Sequence, residues 1–92
     1  MIFFLFIHYY IIKFNSMKIL IMDTSGKSEY IEVNEDETVK NLKEKLANKK
    51  GINTEIKLHY GGQILNDNDT ISSCDIMQDD PVLYLLSFRG GK

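Results

Sequence analysis

Hydrophobic and polar residues alternate over short stretches near the start of the chain, as they do in strands that bury one face. Two such stretches, residues 18–22 and 28–33, flank the turn-forming segment 23–27. Within that segment Gly26 suits a positive φ angle, which tight turns need. Because both stretches are too short for independent helices, the pattern predicts a β-hairpin.

A helix follows, and local signals mark both of its ends. The apolar residues that recur at the spacing of one helical face are Val39, Leu42 and Leu46. Thr38 is a favourable N-cap, and Gly51 is suited to end the helix in the left-handed conformation. These signals predict a helix over residues 39–50 that buries one face against a sheet.

The second half of the chain predicts the rest of that sheet. Residues 56–60 alternate again, residues 63–65 form a short strand after a Gly-Gly turn, and residues 82–88 form the last strand. The side chains expected to face the core from these strands are Ile56, Leu58, Tyr60, Val82, Tyr84 and Leu86. Between the strands, the polar segment 66–80 is expected to be anchored by Ile71, Ile76 and Met77. One helix lying across a mixed sheet is an α+β arrangement.

The first sixteen residues differ in composition from the rest, since they hold six of the ten aromatic residues. The apolar run 1–12 is shorter than the roughly 20 residues of a transmembrane helix, and it lacks the basic start and cleavage site of a signal peptide. Three interpretations stay open: a membrane-directing leader, a structureless extension, or upstream sequence before a true start at Met17. We favour the last, with residues 1–16 outside the fold, a domain over 17–86 and a flexible tail over 87–92.

Charge and composition exclude several functional classes. The chain has 92 residues, enough for one small domain, and its 11 basic and 13 acidic residues give a net charge of −2. A nucleic-acid-binding domain would carry a basic surface. One Cys and two His cannot form a zinc site of Cys and His ligands. We therefore expect no metal and no nucleic-acid partner. Since no nucleotide-binding or nucleophile-elbow motif is present either, we also expect no cofactor and a protein that is not an enzyme.

The order and spacing of several segments match those of a known family. The matching segments are residues 17–21, the turn ending at Gly26-Lys27, residues 38–52, 58–67 and 70–72, Ile76, residues 82–86 and Arg89-Gly90-Gly91. Together they resemble ubiquitin-like proteins over residues 17–91, which implies the ubiquitin-like β-grasp fold.

The carboxyl end resembles that of ubiquitin-like modifiers, which are attached to substrate lysines through a terminal glycine. Gly90 and Gly91 suit a narrow, unbranched tail because neither has a Cβ atom. Lys92 follows Gly91, so the resemblance implies a precursor that a hydrolase cuts after Gly91.

Two residues near the tail match positions that an activating enzyme inspects, Ser87 and Arg89. Where this chain has Ser87, ubiquitin has Arg and the neddylation modifier (the Nedd/Rub branch) has Ala. Because Ser is small and uncharged, the resemblance favours the neddylation branch over ubiquitin.

A partner-binding patch is expected on the surface. In ubiquitin a hydrophobic patch binds receptors, and its central members match Thr24, His59 and Leu85, of which only Leu85 keeps the aliphatic character. Leu83 should point outward beside Leu85, so the expected patch comprises Thr24, His59, Leu83 and Leu85.

Lysines at matched positions are candidate acceptors for chain formation, and they are Lys27, Lys43, Lys45 and Lys49. Gln63 and Gln78 stand where ubiquitin has the lysines most used for degradative and signalling chains. Since glutamine has no nucleophilic amine, this disfavours a polyubiquitin role.

The resemblance implies a monomeric modifier of the neddylation type that regulates cullin ligases in the cytoplasm and nucleus. Its implied partners are an E1 activating enzyme, an E2 conjugating enzyme, an E3 ligase, substrates such as cullins and a C-terminal hydrolase or deconjugase, with no membrane. Three alternatives stay open: a divergent ubiquitin, a noncovalent ubiquitin-fold adaptor, and a membrane-tethered ubiquitin-like protein that uses residues 1–12.

Overall fold

A computed structural model of the protein describes residues 16–87, which form a mixed five-stranded sheet with a helix packed across it. The elements are β1 Ser16–Met22, β2 Ser28–Asn34, α1 Val39–Lys50, β3 Glu55–Tyr60, β4 Gln63–Ile64, a 3-10 turn Ser72–Cys74, and β5 Pro81–Ser87. The strand order is β2-β1-β5-β3-β4, in which β1 and β5 run parallel and the other pairs antiparallel. The expected α+β, β-grasp architecture is confirmed.

Both ends of α1 are capped as the sequence predicted. The Thr38 side chain accepts a hydrogen bond from the Asn41 amide at 3.1 Å. Gly51 has a φ angle of 68°, in the left-handed region, and its amide donates to the Ala47 carbonyl. These contacts satisfy backbone groups that a helix leaves without partners at its ends, so the helix length is set by local sequence.

The core lies between α1 and the inner face of the sheet. Its buried side chains are Ile19, Ile21, Ile31, Val33, Val39, Leu42, Leu46, Ile56, Leu58, Ile71, Ile76 and Val82. The apolar stripe of α1, formed by Val39, Leu42 and Leu46, has no exposed surface. Tyr60 and Tyr84 pack against the core while remaining partly exposed. The apolar stripe predicted from helical spacing is therefore the centre of the core.

Two side chains expected to be buried in the core are exposed. Met77 is 64% exposed, because the loop turns after the buried Ile76 and the Met77 amide donates to the Tyr60 hydroxyl at 3.0 Å. Leu86 is 39% exposed, because it lies near the end of β5, where it lines an open groove. The predicted anchors Ile71 and Ile76 are both buried.

The described residues stop short of two predicted segments. β1 begins with Ser16, and the rest of the apolar extension, residues 1–15, lies outside the described residues. At the other end β5 includes Ser87, and residues 88–92 also lie outside.

Candidate functional site

The outer sheet face, which is the side turned away from α1, carries the expected patch. Val82 is buried, so its neighbours along β5, Leu83 and Leu85, point to the opposite side. His59 of β3 lies directly opposite Leu83 in the antiparallel pair, and Met22 of β1 lies beside Leu83 in the parallel pair. Because paired residues point to the same face, β5 places Leu83 between Met22 and His59.

Thr24 lies in the turn between β1 and β2. One carboxylate oxygen of Asp23 accepts hydrogen bonds from the Ser25 amide at 2.9 Å, the Ser25 hydroxyl at 2.7 Å and the Lys27 amide at 3.1 Å. The hydrogen bond from the Ser25 side chain is the main cause that lowers the pKa of Asp23. Since the carboxylate fixes the turn in this way, the exposed Thr24 is held in place.

A groove of about 380 Å³ lies between this turn and the end of β5. Its lining includes Thr24, Leu85 and Leu86. The structure therefore places Thr24 and Leu85 on the lining of one groove, and it pairs His59 with Leu83 across two strands.

The apolar surface extends further than the sequence indicated. Ile64 of β4 is 55% exposed and lies opposite His59, and Tyr30 of β2 is 46% exposed and lies opposite Leu20. Alternation along each strand indicates which face a side chain points to. It does not indicate the strand register, which depends on residues far apart in sequence and which places these side chains beside the patch.

Three of the four candidate acceptor lysines are held in ion pairs. Lys43 pairs with Asp67 at 2.6 Å, Lys45 with Glu37 at 2.9 Å, and Lys49 with Glu29 at 3.1 Å. Lys45 also donates to the Glu32 carbonyl on β2, so Lys45 and Lys49 both contact that strand, whereas Lys43 does not.

Lys27 differs from the other three candidates. It is exposed at the end of the Asp23 turn, and no ion pair within residues 16–87 involves it. Among the four candidates, Lys27 is therefore the one whose amine makes no ion pair within the described residues.

The structure places Ser87 at the end of β5, directly opposite Glu55 of β3. The remaining tail residues with predicted roles, Arg89, Gly90, Gly91 and Lys92, lie outside the described residues.

Other chemistry is sparse in the part of the chain that the structure describes. Burial raises the pKa of the Cys74 thiol, which disfavours the nucleophilic thiolate. Within residues 16–87, no three His, Cys, Asp or Glu side chains are grouped so that they could hold a metal ion. None of the helices in the same range has the length and apolar content that a membrane crossing requires.

Comparisons with known proteins give two findings. The family model described as the ubiquitin family matches residues 19–89. The chain is also similar to a chain of the solved pParkin-pUb-UbcH7 complex, with a TM-score of 0.72 and 28% sequence identity. That match covers 79% of this chain and 23% of the other, so this chain spans less than a quarter of the length of the solved chain.

Proposed function

We propose that the chain, which belongs to the ubiquitin family, is a protein modifier. It is joined through the Gly91 carboxylate to lysine amines of other proteins. The observation that carries this proposal is the position of the two glycines. The family match runs to Arg89, and Gly90 and Gly91 follow it directly. A domain of this family is typically a modifier or an adaptor rather than an enzyme, and the glycine tail favours the modifier.

The proposed chemistry takes place on the tail. Residues after Gly91, here Lys92, are first removed by a hydrolase. ATP then adenylates the Gly91 carboxylate with release of pyrophosphate, and a cysteine thiol of the activating enzyme displaces AMP to form a thioester. A substrate lysine amine finally attacks the thioester carbonyl, with the thiol as leaving group. The chain supplies no nucleophile for these steps, and its own part is to offer a tail narrow enough for the enzyme clefts.

The proposed partners are those of a ubiquitin-like pathway: an E1, an E2, an E3, substrate proteins and a hydrolase or deconjugase. Similarity to a chain of the pParkin-pUb-UbcH7 complex supports partners of this kind. The patch formed by Thr24, His59, Leu83 and Leu85 is the proposed docking surface for them. Lys27 is the proposed acceptor if the protein forms chains.

Within the family, we assign the chain to the neddylation type, with cullins as substrates and with action in the cytoplasm and nucleus. Ser87 supports this branch because it is small and uncharged. The patch gives further support, since His59 replaces an aliphatic residue and receptors for ubiquitin should bind it weakly. A noncovalent adaptor is the second candidate, and the extended apolar outer sheet face favours it.

Covalent attachment is tested by expressing the full chain with an amino-terminal tag and purifying it under denaturing conditions. Trypsin cleaves after Arg89, so each modified lysine is expected to carry a Gly-Gly remnant that mass spectrometry identifies. The matched control lacks Gly90 and Gly91 and should capture no such conjugates. If both forms purify alone under denaturing conditions and the same partners co-purify with both in native buffer, the adaptor is supported instead.

The branch assignment is tested by Ser87→Arg. A charged hydrogen bond is worth about 1.5–3 kcal/mol, so the substitution should raise the ratio of kcat/KM for the ubiquitin-activating over the neddylation-activating enzyme about tenfold or more. Both purified enzymes are assayed for thioester formation. If wild-type protein is already charged better by the ubiquitin-activating enzyme, the neddylation assignment is wrong and the modifier function stands.

A further inference from the structure

A row of four side chains crosses the outer sheet face at right angles to the strands. Strand register joins them in the order Met22 of β1, Leu83 of β5, His59 of β3 and Ile64 of β4. Neighbouring strands lie about 4.7–4.9 Å apart, so the row is a continuous strip about 14 Å long. Ile64 is 55% exposed and the other three are half-buried, so a partner can contact the row along its whole length.

The imidazole of His59 interrupts this otherwise apolar row. Leu83 and Ile64 are its direct neighbours on the two adjoining strands. Neither of those strands places a charged residue directly or diagonally across from His59, and the nearest charged side chain on the same face of β3 is Lys57, two residues earlier. A partner that covers the row therefore removes the imidazole from water without a carboxylate from the adjoining strands to balance a charge on it.

We propose that this row is the centre of the docking surface, that it binds an apolar partner surface, and that binding requires His59 to be uncharged. The inference rests on the proposed modifier function, whose partners dock on this face. Moving a charged group from water into an apolar contact is costly unless another group pairs with it, so the interface excludes the charged imidazole. Lys57 adds to this exclusion, because like charges repel.

The chemistry of the partner follows from the row and from its edge. Four side chains without charge select an apolar surface, and Lys57 lies beside them, opposite Leu85. Lys57 is exposed, and no ion pair within residues 16–87 involves it. A partner that is apolar over the row and carries a carboxylate at the Lys57 edge is complementary to this face.

Acidification should therefore weaken docking. Histidine side chains gain their charge between about pH 5 and 8, so the uncharged form that binds becomes scarcer as the pH falls through this range. A His59 that is charged in the free protein must release its proton when the partner binds.

The test measures Kd between the chain ending at Gly91 and the purified activating enzyme that charges it, without ATP. Between about pH 7.5 and about pH 5.5, the Kd of the wild-type protein should rise about tenfold, and that of His59→Leu much less. His59→Lys should bind weakly at both pH values, because its charge is permanent. Groups on the enzyme titrate equally with every variant, so the difference between wild type and His59→Leu isolates His59. Calorimetry at the lower pH in two buffers should detect a released proton with wild type alone.

Ile64→Ala tests how far the row extends. It removes an apolar side chain that the partner covers, so Kd at the higher pH should rise about tenfold. The matched control is Gln63→Ala, which changes the adjacent exposed residue of β4, opposite Tyr60 and on the other face, and should leave Kd unchanged.

A wild-type Kd that stays constant or falls on acidification, while thioester formation proceeds, would overturn the role of His59 and leave the modifier function intact. An unchanged Kd in Ile64→Ala would likewise overturn the extent of the row. If the wild-type chain neither binds the activating enzymes nor is charged by them, the modifier function is wrong and this inference fails with it.

Discussion

Leu42→Ala is expected to lower the free energy of unfolding by about 2–5 kcal/mol. Leu42 lies in the middle of the α1 stripe between Val39 and Leu46 and has no exposed surface. Its truncation removes apolar contacts and leaves a cavity where the helix meets the sheet. Because small domains have about 5–15 kcal/mol of stability in total, the loss is a large fraction of it. Urea denaturation of the purified proteins measures the difference.

The matched control for this prediction is Leu86→Ala. The same atoms are removed, but Leu86 is 39% exposed at the end of β5, so the expected cost is below about 1 kcal/mol. Equal losses in the two variants would contradict the placement of Leu42 in the core and of Leu86 at the surface.

Deletion of Gly90 and Gly91 together with Lys92 is expected to abolish thioester formation with every activating enzyme, because the reacting carboxylate is then at the wrong residue. Gly91→Ala, in a chain ending at that residue, keeps a carboxylate but adds a methyl group where the tail is most confined, and charging should fall sharply. The buried core spans residues 19–82, so neither change should alter the melting temperature. Thioester formation is measured as a mass shift of the enzyme.

Deletion of Lys92 alone is the control for these tail variants. It shortens the same end of the chain yet leaves the carboxylate on Gly91, and it should be charged without prior processing. Charging of the form that lacks both glycines would contradict the assignment of Gly91 as the site of conjugation.

The helix and the core could be predicted because their determinants are local. Thr38 and Gly51 cap α1 through contacts within four residues, and the stripe needs only the helical period. The same holds for the first hairpin, whose turn is closed by Asp23 on its own neighbours. Such features are fixed by residues that are close in sequence.

The two wrong predictions of burial concern side chains whose exposure depends on the tertiary structure. Met77 follows the buried Ile76 and has the same apolar character, yet a hydrogen bond from its amide to Tyr60, which is 17 residues away, accompanies its exposure. Leu86 continues the inward alternation of β5 but lies near the end of that strand, beside an open groove. The spacing of apolar residues along the chain therefore does not predict the exposure of either side chain.

The candidate site was only partly predictable for the same reason. Alternation along β5 places Leu83 and Leu85 on the outer sheet face, but their neighbours across the sheet depend on strand register. Ion pairs such as those of Lys43 with Asp67 and Lys49 with Glu29 join separate elements. Resemblance to a family supplied the positions of these lysines and could not supply their partners.

The most direct test of a covalent role uses the chain ending at Gly91, incubated with ATP and each purified activating enzyme in turn. A modifier is expected to form an adduct with one of the enzymes that a reducing agent reverses, and the neddylation-activating enzyme is expected to react better. If neither enzyme forms such an adduct with the trimmed chain, the covalent function is wrong and a noncovalent adaptor is supported.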